Sequence, residues 1–385
     1  MMDAKRIGTR PLKDLLERLI GFDSDGLPVI SLYLNAQANR HGRDQYERFI
    51  RNEFSTRAKT FEPHTPEGES FRRDAERIEK YLTEEARPSA NGIAVFACAG
   101  KDDFFEAVQL DAPIEKHQLF IFKQPHLYPL ARLINEYRRY AVLVADSNRA
   151  RIFVFGRGRT LAAEEVQNEK MNRTEVGGWS QMRFQRHVDH LRLQHAKEVV
   201  EALDRIVREE AIESVIIAGD EVVIPVLREQ MPPALAAKVE DRMNLDIRTP
   251  EHEIMERTLE TFQARDAVLD MERVEELKDA VRGTKLGVAG IADTLAALSN
   301  GQVDELFLAA GMNEIEHEPE AASAVFKAYA PGEEDEIPNA NRRRVVIDEL
   351  IKRAQETGAR THFIKDASLL AAMGGVGATL RYSIY

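Results

Sequence analysis

The chain has 385 residues, 43% apolar and 31% charged, with a formal net charge of −12. One hydrophobic core seldom grows beyond roughly 250–300 residues, so two or three folded domains are expected rather than a disordered or fibrous chain. The acidic balance excludes a whole-protein positive field for nucleic acid, and no apolar run approaches the roughly 18–20 residues that span a bilayer.

The first predicted element is an amphipathic helix carrying Leu12, Leu15, Leu16, Leu19 and Ile20 at helical spacing. Charges run through this opening stretch and no small-residue cleavage site follows, so it reads as no signal peptide. Cytoplasm is the default compartment. "VISLYLN" reads as a strand. A helical stretch, "RDQYERFIRNEFSTRAKTF", is interrupted by "EPHTPEGES" and resumes as "FRRDAERIEKYLTEEA". "NGIAVFACAG" and "FFEAVQL" read as neighbouring strands. Cys98, the single cysteine, lies in the first of them and is assigned to buried packing. The stretch from Ala112 to Tyr137 leads out of this first domain, which we bound at 1–130.

The second domain, 131–275, opens with "YAVLVADSNRARIFVF", two β-rich runs around Asp146–Asn148 with the signature of a hairpin. The loop "TEVGGWSQ" follows, then a helix starting near Gln181 with Ser180 as its N-cap. "ESVIIAGDEVVIPVLREQMP" is a strand, a glycine turn and a helix, and "LAAKVEDRMNLD" contains a short strand. Alternating strands and helices define an α/β class. A helical run, 250–283, bridges to the third domain, 276–385. There "GVAGIADTLAALSNGQVDELFLAAG" is a glycine turn, a helix and a buried strand, and 316–344 is an excursion. "VVIDELIKRAQETGARTHFIKD" is helix then strand, and the chain closes with helix, glycine turn and strand.

Charge is not spread evenly. From Arg149 to Lys197 there are ten Lys and Arg against five Asp and Glu, a local balance of +5 within an acidic chain. In the helix after the loop, Arg183, Arg186, His187 and His190 recur at i, i+3, i+4 and i+7, interrupted only by Asp189. A phosphate-tracking surface and a plain exposed helix both fit this stripe. His187, His190 and His195 lack the spacing and companions of a zinc site, so no metal is assigned. Neither "LGVAGIADTL" nor "MGGVGATLRY" has a phosphate-loop pattern, and no cofactor is called for. Gly374, Gly375 and Gly377 read as a tight turn into the last strand.

On these residues the chain resembles the archaeo-eukaryotic class-I peptide release factor and Pelota superfamily, in its bacterial branch. "YAVLVADSNRARIFVF" is similar to the opening hairpin of that family's middle domain. "GGWSQMRFQRH" resembles its Gly-Gly-Gln loop and following basic helix. "LGVAGIADTLAALSNGQVDELFLAAG" and "GARTHFIKDASLLAAMGGVGATLRY" resemble its last domain. The resemblance implies three α/β domains: an N-terminal one, an RNase-H-like middle domain, and a C-terminal α/β/α domain like the kink-turn-binding ribosomal-protein fold.

It further implies a ribosomal A-site factor that sends the 177–181 loop into the peptidyl-transferase centre. The partners would be ribosomal RNA, P-site tRNA and a translational GTPase, with no DNA and no membrane. Gly177 and Gly178 would let backbone approach RNA closely. Trp179 would stack on a base or pack on its own domain, and Ser180 would complete the loop. Arg183, Arg186, His187 and His190 would meet phosphate, and Gln181 would be the catalytic residue.

Two departures shape the expectation. Here Trp179 and Ser180 separate the glycines from Gln181, a displacement of up to about 7 Å if extended. Gly178-Trp179-Ser180-Gln181 fits the spaced Gly-x-x-Gln of the quality-control peptidyl-tRNA hydrolases instead. No Asn-Ile-Lys-Ser motif stands in the first domain, so stop-codon decoding is not carried over. Ester hydrolysis in ribosome rescue is the leading reading, and non-catalytic occupancy by a hibernation factor is the alternative. An RNA-binding or regulatory protein unrelated to ribosomes is the third.

Overall fold

The computed structural model describes residues 9–37, 46–87, 89–110, 113–136, 139–156, 159–167, 181–219, 222–316, 323–325, 327, 329 and 339–383. The fold is mixed α/β, with three sheets in two compact units. One unit is Tyr137–Arg265; the other combines Met1–Glu136 with Asp266–Tyr385. The first and last segments expected from sequence therefore share a unit. Among the described residues, no helix is long and apolar enough to cross a membrane.

The first segment runs α1 (Thr9–Ile20), β1 (Val29–Asn35), α2 (Tyr46–Ala58), α3 (Pro66–Glu84), β2 (Gly92–Cys98), β3 (Phe104–Leu110), β4 (Gln118–Phe122) and α4 (Tyr128–Glu136). All five apolar positions picked out in α1 are buried. "TPEGES" begins α3 rather than separating two helices. Thr65 caps it, accepting the Gly68 N–H at 3.1 Å, and Pro66 takes the first helical position. The sheet is antiparallel in the order β3-β2-β1-β4. Ile30, Leu32 and Leu34 of β1 point to one core with Phe54, Phe71 and Ile78. Tyr33 and Phe96 point to another. Cys98 is buried as expected, and burial pushes its thiol up to about 11. Strand β4 was not among the predicted elements.

Asp74 of α3 is fully buried and caps the turn after β2. Its carboxylate oxygens accept the Ala99 N–H at 2.9 and 3.0 Å and face the Ser70 hydroxyl at 3.5 Å. Burial pushes its pKa up to about 7, outweighing the downward pull of these donors. The folded state therefore keeps a proton that the unfolded chain releases, and stability falls as pH rises between about 4 and 7. We predict that Asp74→Asn flattens this slope, which amounts to a few kcal/mol over the window. Urea unfolding at pH 5 and pH 8 checks it; equal slopes for both proteins would refute the assignment.

The last segment carries β10 (Gly287–Ala289), α9 (Ile291–Ser299), β11 (Val303–Ala309), α10 (Asn339–Glu356), β12 (Arg360–Ile364) and β13 (Val376–Leu380). Its sheet order is β10-β13-β11-β12, with only β11 and β12 parallel. The helix expected before the final glycine turn is instead two 3-10 turns, Ala367–Leu369 and Ala371–Met373. Asp366 caps the first by accepting the Ser368 N–H at 3.0 Å, and only a short connection separates β12 from β13. Gly374 and Gly375 do make the turn, at φ 64° and 79°; a Cβ on Gly375 would lie 2.5 Å from the Glu314 carbonyl oxygen.

The middle unit contains β5 (Tyr140–Ala145), β6 (Arg149–Gly156), β7 (Arg159–Gln167), α5 (Gln181–Glu209), β8 (Ser214–Gly219), α6 (Val223–Gln230), α7 (Pro233–Ala236) and β9 (Val239–Met243). Helix α8 (Glu251–Asp279) begins in this unit. The sheet order is β7-β6-β5-β8-β9. Strands β5, β6 and β7 form an antiparallel meander, and β8 and β9 run parallel to β5. The expected hairpin is present: Asp146 accepts the N–H groups of Asn148 and Arg149 at 2.7 and 2.8 Å. One face of the sheet packs on α5 and α6, the other on α8 through Ile254 and Phe262.

Candidate functional site

The expected loop joins β7 to α5. Gly177, Gly178, Trp179 and Ser180 lie outside the described residues. Helix α5 begins at Gln181, the position expected from sequence. Gln181, Arg183, Arg186 and His187 fall in its first two turns; their backbones are described and their side chains are not. Along the axis His190 stands about 13 Å beyond Gln181. It is exposed.

The helix is 29 residues long, about 43 Å, and its two halves differ. From Ala196 onward Val199, Val200, Leu203, Ile206 and Val207 are buried against the sheet. The N-terminal half sets its cations against a single acid, Asp189, whereas Glu198, Glu201, Asp204 and Glu209 all lie beyond Ala196. No acidic residue lies in its first turn. The unpaired N–H groups there act as roughly half a positive charge, so the helix end adds to the cations behind it. Arg205 clamps α5 to β7 through both oxygens of Glu164, at 2.7 and 2.8 Å. The strand that enters the loop and the helix that leaves it are thus tied together. Sequence reasoning missed β7, although its alternation was legible: Ala163, Glu165 and Gln167 are exposed while Ala162, Glu164 and Val166 are half-buried.

His195, weighed with His187 and His190 as a metal ligand, turns the other way. It is buried, facing a small cleft between Asp146 and Ser147 of the hairpin and Val223 and Leu227 of α6. Neither ring nitrogen has a hydrogen-bond partner of good geometry. Burial lowers its pKa against weaker upward pulls from the Arg149 backbone, Glu198 and Asp146, so the ring is neutral at pH 7. His190 and His195 therefore do not converge. Among the described residues, no group of His, Cys, Asp or Glu is placed to hold a metal ion.

A loop-bearing α/β unit followed by a second α/β segment is the arrangement matched by two family models. Residues 125–263 match Bacterial archaeo-eukaryotic release factor family 10, and residues 267–384 match eRF1 domain 3. The chain belongs to the archaeo-eukaryotic release factor and Pelota superfamily, in its bacterial branch. Peptide chain release factor subunit 1 of Pyrococcus abyssi is 21% identical over 97% of this chain and 98% of its own length. The same protein of Thermococcus kodakarensis is 21% identical over 97% of each. Among solved structures, the archaeal translation termination factor aRF1 is 17% identical, covers 98% of this chain and 99% of its own, and has a TM-score of 0.28. Ribosome-bound archaeal Pelota, in a model with ABCE1, is 14% identical over 98% of this chain and 95% of its own, with a TM-score of 0.40.

Proposed function

We propose that this protein binds the ribosomal A site and sends the 177–181 loop into the peptidyl-transferase centre to hydrolyse peptidyl-tRNA in ribosome rescue. The observation that carries the reading is that Gln181 opens helix α5, two residues removed from the glycine pair, within the stretch matched to the release-factor family. The length shared with the archaeal release factors adds support. The sheet order of the middle unit supports an RNase-H-like reading of it, and the eRF1 domain 3 match supports a kink-turn-binding type of last domain. The three segments 1–130, 131–275 and 276–385 then act as successive domains in recognition, catalysis and recruitment of a translational GTPase.

In this mechanism Gln181 holds a water molecule against the ester carbonyl, through its side-chain amide or its backbone N–H. Water oxygen adds to the carbonyl carbon; the acyl–oxygen bond breaks, releasing the peptide acid and returning a proton to the ribose 3′-oxygen. Gly177 and Gly178 give a narrow tip, while Arg183, Arg186, His187 and His190 neutralise phosphates around it. Trp179 favours a second reading, occupancy without chemistry, because it adds bulk where water must enter. Peptide release from ribosomes carrying peptidyl-tRNA, with a GTPase partner supplied, tests the proposal. Binding without release supports the hibernation reading and overturns hydrolysis.

Trp179 yields its own expected result. If it stacks on a nucleobase, worth roughly 1–3 kcal/mol, Trp179→Ala lowers ribosome affinity about tenfold and leaves the thermal midpoint nearly unchanged. A variant that melts many degrees lower would place the indole in the protein's own core.

A further inference from the structure

We propose that the first and last segments of the chain form one rigid body, latched by Asp348. Three segments read from sequence would allow the first and last to move independently; the buried join between them ties the two together.

The latch is built from residues far apart in the chain. Asp348, on α10, is 1% exposed, and His126, just before α4, is fully buried. One carboxylate oxygen, Oδ2, lies 2.7 Å from His126 Nδ1. The other, Oδ1, accepts the N–H groups of Leu127 and Tyr128, both at 2.9 Å. These open the first turn of α4, where an anion is favoured. The His126 backbone is held in turn by β1: its N–H donates to Ser31 Oγ at 2.9 Å and its carbonyl accepts from the Tyr33 hydroxyl at 2.6 Å. Through this chain of bonds the central strand of the first sheet is tied to a helix of the last segment.

Helices α4 and α10 each reach the other segment's sheet. The Tyr128 hydroxyl donates to the Ala310 carbonyl at 2.6 Å, just past β11, and its ring meets Phe363 of β12 edge-on at 5.6 Å. In the reverse direction the Arg344 guanidinium of α10 stands over the Phe120 ring of β4, 5.8 Å from its centre. A single apolar cluster runs from Leu16 and Tyr33 through Leu130 to Leu306 and Ile351. Domains that shift against each other usually meet through polar interfaces, whereas a close-packed core has no intermediate positions. Removing one partner of this buried hydrogen-bonded pair leaves the other's polar atoms unsatisfied, so the latch resists opening.

Hydrogen exchange measured by mass spectrometry on the full-length chain tests this. Asp348→Ala is expected to speed exchange about tenfold in β1 and α4 and, together with them, in β11 and α10. Strands β5 and β8 of the middle unit should keep wild-type protection. Tyr128→Phe, which removes the hydroxyl that meets the Ala309 and Ala310 carbonyls, should give a smaller effect shared by the same two segments, and serves if Asp348→Ala does not fold. Acceleration confined to one segment, or spread equally into β5 and β8, would overturn the proposal.

Discussion

Gln181→Ala is expected to leave ribosome binding intact while slowing peptidyl-tRNA hydrolysis roughly 10²-fold or more, the scale seen when one positioned polar group is removed from a transition state. Gln181 sits at the start of a helix whose far half is buried in the middle unit, so its backbone has a firm base. Glutamine and alanine are both uncharged and both favour helix, so neither net charge nor the start of α5 should change. An effect on turnover without an effect on affinity identifies an interaction made mainly in the transition state. Equal release by the variant and the wild type would remove Gln181 from catalysis. Single-turnover release from ribosomes saturated with each protein makes the comparison.

Reversing Arg183 and Arg186 to glutamate is expected to weaken ribosome binding tenfold or more and to reduce its salt dependence. Each phosphate contact releases about 0.7–0.9 of a counterion, so losing two should lower the slope of log affinity against log salt by about 1.5–2. The chain as a whole is acidic and repels RNA at long range, so the cations between Arg149 and Lys197 carry a large share of the attraction. Both substitutions fall in the first two turns of α5, ahead of the buried residues that begin at His195 and Ala196. A salt series of co-sedimentation measurements gives the slope directly. Unchanged binding across the series would show that this helix does not face phosphate.

Most of the fold was legible where periodicity is strong. The alternation in "VISLYLN", the Asp146 turn and the apolar stripe of α1 each specify one local structure, and each is present. Two of the misses share a cause. Strand β4 is five residues between charged and proline-containing flanks, and β10 is three residues containing a glycine; both exist through their neighbours' hydrogen bonds, not their own pattern. The segment 367–373 has helix-forming residues but no room for an α-helix, so tertiary connection overrides propensity. The join between Asp348 and His126 spans 222 positions and leaves no local trace.

The candidate site divides in the same way. The start of α5 at Gln181 and the exposure of His190 agree with the pattern of the sequence. His195 is different: it is buried beside Ala196, where α5 begins to pack against the sheet, and the metal-ligand spacing weighed from sequence held no sign of that. The loop itself was legible as a motif, through two glycines, a tryptophan and a glutamine in front of a basic helix.

Chemical probing of ribosomal RNA, with and without the full-length protein bound, addresses both the occupancy and the hydrolysis readings at once. The proposed placement of Gly177–Gln181 predicts new protections at nucleotides of the peptidyl-transferase centre, lost or weakened in Trp179→Ala. A protein that co-sediments with ribosomes yet leaves those nucleotides as reactive as in its absence would contradict it.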